Sequence, residues 1–162
     1  MEQEEVMMFG RLYNTTLYAV HEYTTVQFQN LNGVETSFPK LLIILNNQQT
    51  QEIASSDIDL LSKMANWLGI DKDSVALIGN HNLPSFRQLR THQGIRNMIL
   101  YGITPDEIGL QIDFKINKSF FFMNCRMLFT ALFTEVQNDK NLKNEFFNEL
   151  KNSFKHLKNL DH

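Results

Sequence analysis

Cysteine is nearly absent. The single Cys125 among 162 residues excludes an internal disulfide framework and any cysteine-rich zinc module. Proline and glycine are scarce, at three and seven residues, so regular elements must be joined by short loops and no flexible linker breaks the chain. Neither sign of charge dominates. Fifteen Lys plus Arg against eighteen Asp plus Glu leave a formal net charge of −3, which disfavours a generic nucleic-acid coat but leaves room for a local basic patch. Long hydrophobic runs are missing too: the longest aliphatic one, Leu41–Leu45, falls far short of the roughly 20 apolar residues a membrane helix needs. The leader Met1-Glu2-Gln3-Glu4-Glu5 is acidic where a signal peptide is basic. These absences lead to the expectation of a soluble, cytoplasmic protein with no membrane partner.

What is present, 43% apolar and 20% charged residues, suits a single globular core. Residues 1–39 read as an N-terminal segment with strand character over 17–22, 25–29 and 34–39, and residues 40–162 as the core domain. The continuous apolar run Leu41–Leu45 predicts a strand covered on both faces. Ser56 then serves as N-cap for a helix whose Ile58, Leu61, Ala65 and Leu68 share one face, widened by Leu60, Met64 and Trp67 and closed by Gly69. Residues 74–78 predict a second strand, Pro84 opens a short helix through Arg90, and residues 96–101 predict a third strand. Thr104-Pro105-Asp106-Glu107 is a capping box with Pro at the first helical position. Residues 120–124 give a fourth strand, 127–136 a short helix, and Asp139 caps a final helix carrying Leu142, Phe146, Leu150, Phe154 and Leu157. The fold class expected is α/β in three layers, a central, mostly parallel four-stranded sheet flanked by helices.

Motifs that carry chemistry are few. A phosphate-cradling loop needs glycine directly after the first strand, but Leu45 is followed by Asn46-Asn47-Gln48-Gln49-Thr50-Gln51. The five histidines, His21, His81, His92, His156 and His162, show no metal-ligand spacing, and no cofactor is implied. Cys125 follows an apolar strand and reads as a buried thiol, and no G-x-S-x-G elbow surrounds a serine. Arg87, Arg90 and Arg96 fall within ten residues and are candidates for nucleic-acid phosphates, against the plainer reading of a solvated helix and loop. Val6, Met7, Met8, Phe9, Leu12 and Tyr13 form an apolar cluster suited either to a partner's groove or to folding back over the domain. Phe120-Phe121-Phe122 and the phenylalanines of the final helix read as core.

The order of motifs carries a resemblance. The strand Lys40-Leu41-Leu42-Ile43-Ile44-Leu45-Asn46 precedes Ser56-Asp57-Ile58-Asp59-Leu60-Leu61-Ser62-Lys63-Met64. Then follow Leu68-Gly69-Ile70-Asp71-Lys72-Asp73-Ser74-Val75-Ala76-Leu77-Ile78, the strand end Leu100-Tyr101-Gly102, and the closing run from Val136 to Lys151. Over residues 40–154 the chain resembles the bacterial DNA polymerase III psi subunit and psi-like proteins. That resemblance implies a uracil-DNA glycosylase-like fold with a central parallel sheet of four strands. It also implies a non-enzymatic role in DNA replication, as an accessory linking a small chi-like subunit to the clamp-loader ATPase through an N-terminal segment, whose nearest counterpart here is residues 6–13. Active glycosylases carry G-Q-D-P-Y-H after the first core strand and H-P-S after the last; here those places hold Asn46-Asn47-Gln48-Gln49-Thr50 and Asn124-Cys125-Arg126-Met127. The water-activating carboxylate and the histidine are both missing.

The leading expectation is therefore a psi-like protein–protein interaction module with no catalytic residues. The alternatives are a divergent enzyme on a nucleobase or nucleoside, at strand ends near Asn46, Asn47, Gly79, Asn80, Gly102 and Asn124, and a weak nucleic-acid-binding module using the arginines.

Overall fold

The computed structural model describes residues 27–46, 53–79, 83–92 and 94–159. The candidates Val6, Met7, Met8, Phe9, Leu12 and Tyr13, the stretch 17–22, Asn47 and Asn80 lie outside the described residues. The strands are β1 (Phe28–Asn30), β2 (Glu35–Thr36), β3 (Leu41–Leu45), β4 (Val75–Gly79), β5 (Asn97–Tyr101), β6 (Lys118–Phe122) and β7 (Cys125–Thr130). The helices are α1 (Ser55–Leu68), α2 (Phe86–His92), α3 (Phe133–Asn138) and α4 (Lys140–Ser153). All seven strands join one sheet in the order β2-β1-β4-β3-β5-β7-β6. The central four, β4, β3, β5 and β7, are mutually parallel, while β1, β2 and β6 add antiparallel edges.

The expected four-stranded sheet is thus a seven-stranded one, and its fourth parallel strand is not the one expected. Residues 120–124 fall in β6 and its turn, antiparallel to β7, and residues 127–130, expected in a helix, are strand. The cause is the turn. Met123 and Asn124 both take left-handed φ, 49° and 60°, the geometry of a two-residue hairpin. Helix follows only from Phe133.

Burial on both faces explains the continuous apolar run of β3. Leu41, Ile43 and Leu45 enter one cluster with Leu61, Met64 and Leu68 of α1, Phe133 of α3 and Phe146 and Leu150 of α4. Leu42 and Ile44 enter the other, with Phe86 and Leu89 of α2, Ile103 and Ile108. Each such aliphatic side chain contributes about 1.5–3 kcal/mol when fully buried. The result is three layers, α1, α3 and α4 on one face and α2 with the segment after β5 on the other.

Helix ends follow local chemistry. Gly69 takes φ 73°, its N–H bonds Asn66 O, and Ile70 N–H bonds Ala65 O, ending α1 in the left-handed turn that glycine allows. Helix α1 begins at Ser55 with Ala54 as its cap residue, two positions ahead of the expected capping Ser56, which lies inside the helix. Ser85 and Gln88 form a reciprocal box at the start of α2, so that helix opens after Pro84 and not at it. The Thr104–Glu107 capping box forms as expected but supports only one 3-10 turn, Pro105–Ile108, because Gly109 at φ 80° ends it. The Asp139 carboxylate accepts from the N–H groups of Asn141 and Leu142 and starts α4. Among the described residues no helix is long and apolar enough to cross a membrane.

Candidate functional site

The carboxyl ends of the parallel strands are where an open α/β sheet binds ligands, and here the order switches between β3 and β5. At that switch the chain closes on itself. Asn46 N–H donates to Tyr101 O at 3.0 Å and its side-chain amide donates to Gly102 O at 2.9 Å. Gly102 has φ 66°, and a Cβ placed on it would run into the Leu132 side chain. Asn46 and Gly102 are therefore brought together, but as partners of each other. Asn124 is not with them: it precedes β7, at the opposite end of the sheet, because the hairpin reversed the strand it was assigned to. The residues of β7 that reach the carboxyl end are Thr130 and its neighbours, and Gly102 N–H donates to Thr130 O at 3.0 Å.

The amino end of the sheet differs. Arg87, exposed, and Arg90, half-buried, lie one turn apart on α2, and Arg96 is exposed just before β5. Parallel pairing sets Asn97 beside Arg126, whose N–H donates to Arg96 O at 2.8 Å. Sequence reasoning missed Arg126, because only the β5–β7 register joins it to Arg96. Its guanidinium lies 5.6 Å from the ring centroid of Phe121, its cross-strand partner. Phe121 and Phe122, expected in the core, are exposed, Phe121 by 61%, and Phe122 leans on Phe86 at 5.8 Å. Cys125, the cross-strand partner of Phe122, is fully buried; burial pushes its thiol up to about 12 although Arg90 and Arg96 pull the other way. His156 Nε2 lies 2.9 Å from Asn97 Oδ1 and Nδ1 lies 3.2 Å from Ser153 O, so a neutral ring can donate to only one of the two acceptors. Partial burial and then the Arg126 charge hold the His156 pKa below its usual 6.5 despite the Ser153 carbonyl.

A third feature is apolar. Helices α1, α3 and α4 enclose a groove of about 280 Å³ over Tyr101, lined by Leu60, Met64, Trp67, Phe133 and Phe147 and rimmed by Lys63, Gln137 and Lys143. Trp67 stays 42% exposed, edge-on to Phe147 at 5.7 Å, with the Lys158 ammonium 5.6 Å from its ring centroid. At the groove floor Tyr101 donates to Met64 Sδ at 3.5 Å, and burial raises its pKa. On the far side of α4, Glu149 accepts from the Ser119 N–H at 2.9 Å and the Ser153 hydroxyl at 2.8 Å, with the Lys118 ammonium 3.9 Å away. Burial alone would raise the Glu149 pKa, but these hydrogen bonds and the lysine together hold it below the usual value, which makes it a fastener between β6 and α4.

Among the described residues no group of three His, Cys, Asp or Glu side chains could hold a metal. No protein-family model matches the sequence, and no curated protein matches it.

Proposed function

We propose that the protein is a non-enzymatic, psi-like interaction module whose partner is the clamp-loader ATPase of DNA polymerase III. The groove over Tyr101 carries this reading. Leu60 and Trp67 leave apolar surface unburied on α1, and Phe147 continues it from α4, while Lys63 and Lys143 mark a polar rim. An aromatic anchor in a shallow apolar groove is the usual centre of a protein interface. The parallel block β4-β3-β5-β7 supports the glycosylase-like arrangement that the resemblance implies. The mutual bonding of Asn46 and Gly102 speaks for a fold whose strand ends serve stability at that point.

Affinity purification of the tagged protein from nuclease-treated native lysate, with mass spectrometry, tests the reading. Enrichment of clamp-loader subunits is expected, reduced by Trp67→Ser and by deletion of residues 6–13. A clamp-loader ATPase that ignores the purified protein at micromolar concentration would overturn it.

A further inference from the structure

Two observations single out the amino end of the sheet. Among the described residues, Arg90 Nε and Arg126 Nε are the two buried side-chain nitrogen or oxygen atoms with no hydrogen-bond partner. Buried donors are nearly always paired, and leaving one unmade is costly, so two of them at one end of the sheet need an explanation, Arg90 on the α2 face near Cys125 and Arg126 on the α4 face near His156. The second observation concerns charge. No ion pair involves Arg87, Arg90, Arg96 or Arg126 among the described residues. Asp73, at the start of β4, is bonded to Asn32 at 2.6 Å, two strand spacings from β5, on the order of 10 Å away.

Beside this uncompensated positive charge lie exposed aromatic rings. Phe121 is 61% exposed with the Arg126 guanidinium against it, and Met123, also 61% exposed, is held at the hairpin tip in a left-handed conformation unusual for its type. Arginine forks that match phosphate geometry, interleaved with exposed aromatic rings, are the parts of a single-strand site: phosphates take the guanidinium groups and unpaired bases stack on the rings. A duplex offers no unstacked base to Phe121. We propose that the β6–β7 hairpin with Arg90 and Arg96 is a contact surface for single-stranded nucleic acid, the strand passing over the amino edge of the sheet from Arg90 and Arg96 on the α2 face to Arg126 and Phe121 on the other. It is independent of the groove over Tyr101 and of any clamp-loader partner.

Fluorescence anisotropy of a labelled oligothymidylate, titrated with the full chain across a salt series, tests the proposal. Three phosphates engaged by Arg90, Arg96 and Arg126 give a slope of log affinity against log salt of about −2, near −0.7 per phosphate on a single strand. Arg96→Gln lowers the magnitude of that slope by about 0.7. Phe121→Ser weakens binding roughly ten-fold with the slope unchanged. Both positions are exposed, and thermal melts confirm that the variants stay folded. Arg126→Lys keeps the charge, and so the slope, but loses affinity with the planar fork. Absence of binding at low salt, equal binding of duplex, or full competition by polyglutamate would overturn the proposal, the last in favour of an acidic protein surface.

Discussion

The two ends of the parallel sheet satisfy their polar groups in opposite ways. At the carboxyl end, the Asn46 amide meets the Gly102 carbonyl and Gly102 N–H meets Thr130 O, all within the chain. At the amino end, Arg90 and Arg126 bury Nε atoms that meet nothing, and rings that could have filled the core face outward. At its switch point the carboxyl end thus bonds to itself, while among the described residues unmet bonding capacity has collected at the other end. Position on the fold is a prior for a site, and the accounting of hydrogen bonds overrides it.

The largest effect should come from breaking the closed end. Gly102→Ala puts a side chain at φ 66°, costing about 1–2 kcal/mol. The new Cβ also runs into the end of the Leu132 side chain, which is part-exposed and can swing aside, and crowds Asn46 Cβ at 3.2 Å, together adding about 1 kcal/mol. Urea unfolding should show both losses, and Gly102→Ala with Leu132→Ala should restore the Leu132 part alone. An unchanged midpoint would mean that this end yields freely, and the contrast between the ends would fail.

Much of the fold was legible because burial and capping write themselves locally. The run Leu41–Leu45 has no polar member and became the strand buried on both faces. Asp139 and the Thr104–Glu107 pair performed the capping their spacing implies. The hairpin was illegible for a specific reason. A two-residue turn of this kind is ordinarily signalled by Asn-Gly or Asp-Gly, and here Met123-Asn124 makes it. Without that signal, Cys125–Thr130 reads as the start of a helix, since Met127, Leu128 and Phe129 show no alternation of polar and apolar positions. The same error carried Asn124 to the wrong end of the sheet. It also hid Arg126, which reaches Arg96 only through parallel pairing across some thirty intervening residues.

Cys125 gives the next test, at the amino end. Its thiol lies in the apolar cluster with Met127 and Phe129, so Cys125→Ser should cost about 1–3 kcal/mol as a poorly paired hydroxyl replaces sulfur. In the native protein at neutral pH a thiol reagent should label it no faster than unfolding exposes it, since burial keeps it protonated up to about 12. Rapid labelling would mean that the arginine-rich end opens to solvent in the folded state.

The hairpin tip should give a smaller change of opposite sign. Met123→Gly removes the left-handed strain of a φ of 49° but adds chain entropy to the unfolded state, for a net gain of about 0.5 kcal/mol. Urea midpoints read it, and a loss of stability would show that the Met123 side chain packs more than its exposure implies.

The smallest effect is electrostatic and sharpens the contrast most. His156 has a folded pKa below 6.5, from burial first and Arg126 second, so between those two values the unfolded chain binds more protons than the folded one. Stability should therefore decline as pH falls below about 6.5 and level off once the folded ring is protonated. Glu149 adds to the decline only at lower pH, as protonation removes the carboxylate that Ser119 and Ser153 hold. Following the His156 ring by NMR separates the two. Adding oligothymidylate should raise the ring's pKa part of the way back, because a phosphate on Arg126 cancels the charge that repels its proton and leaves the burial contribution in place. A ring that titrates identically with and without the oligonucleotide would place any binding elsewhere than Arg126.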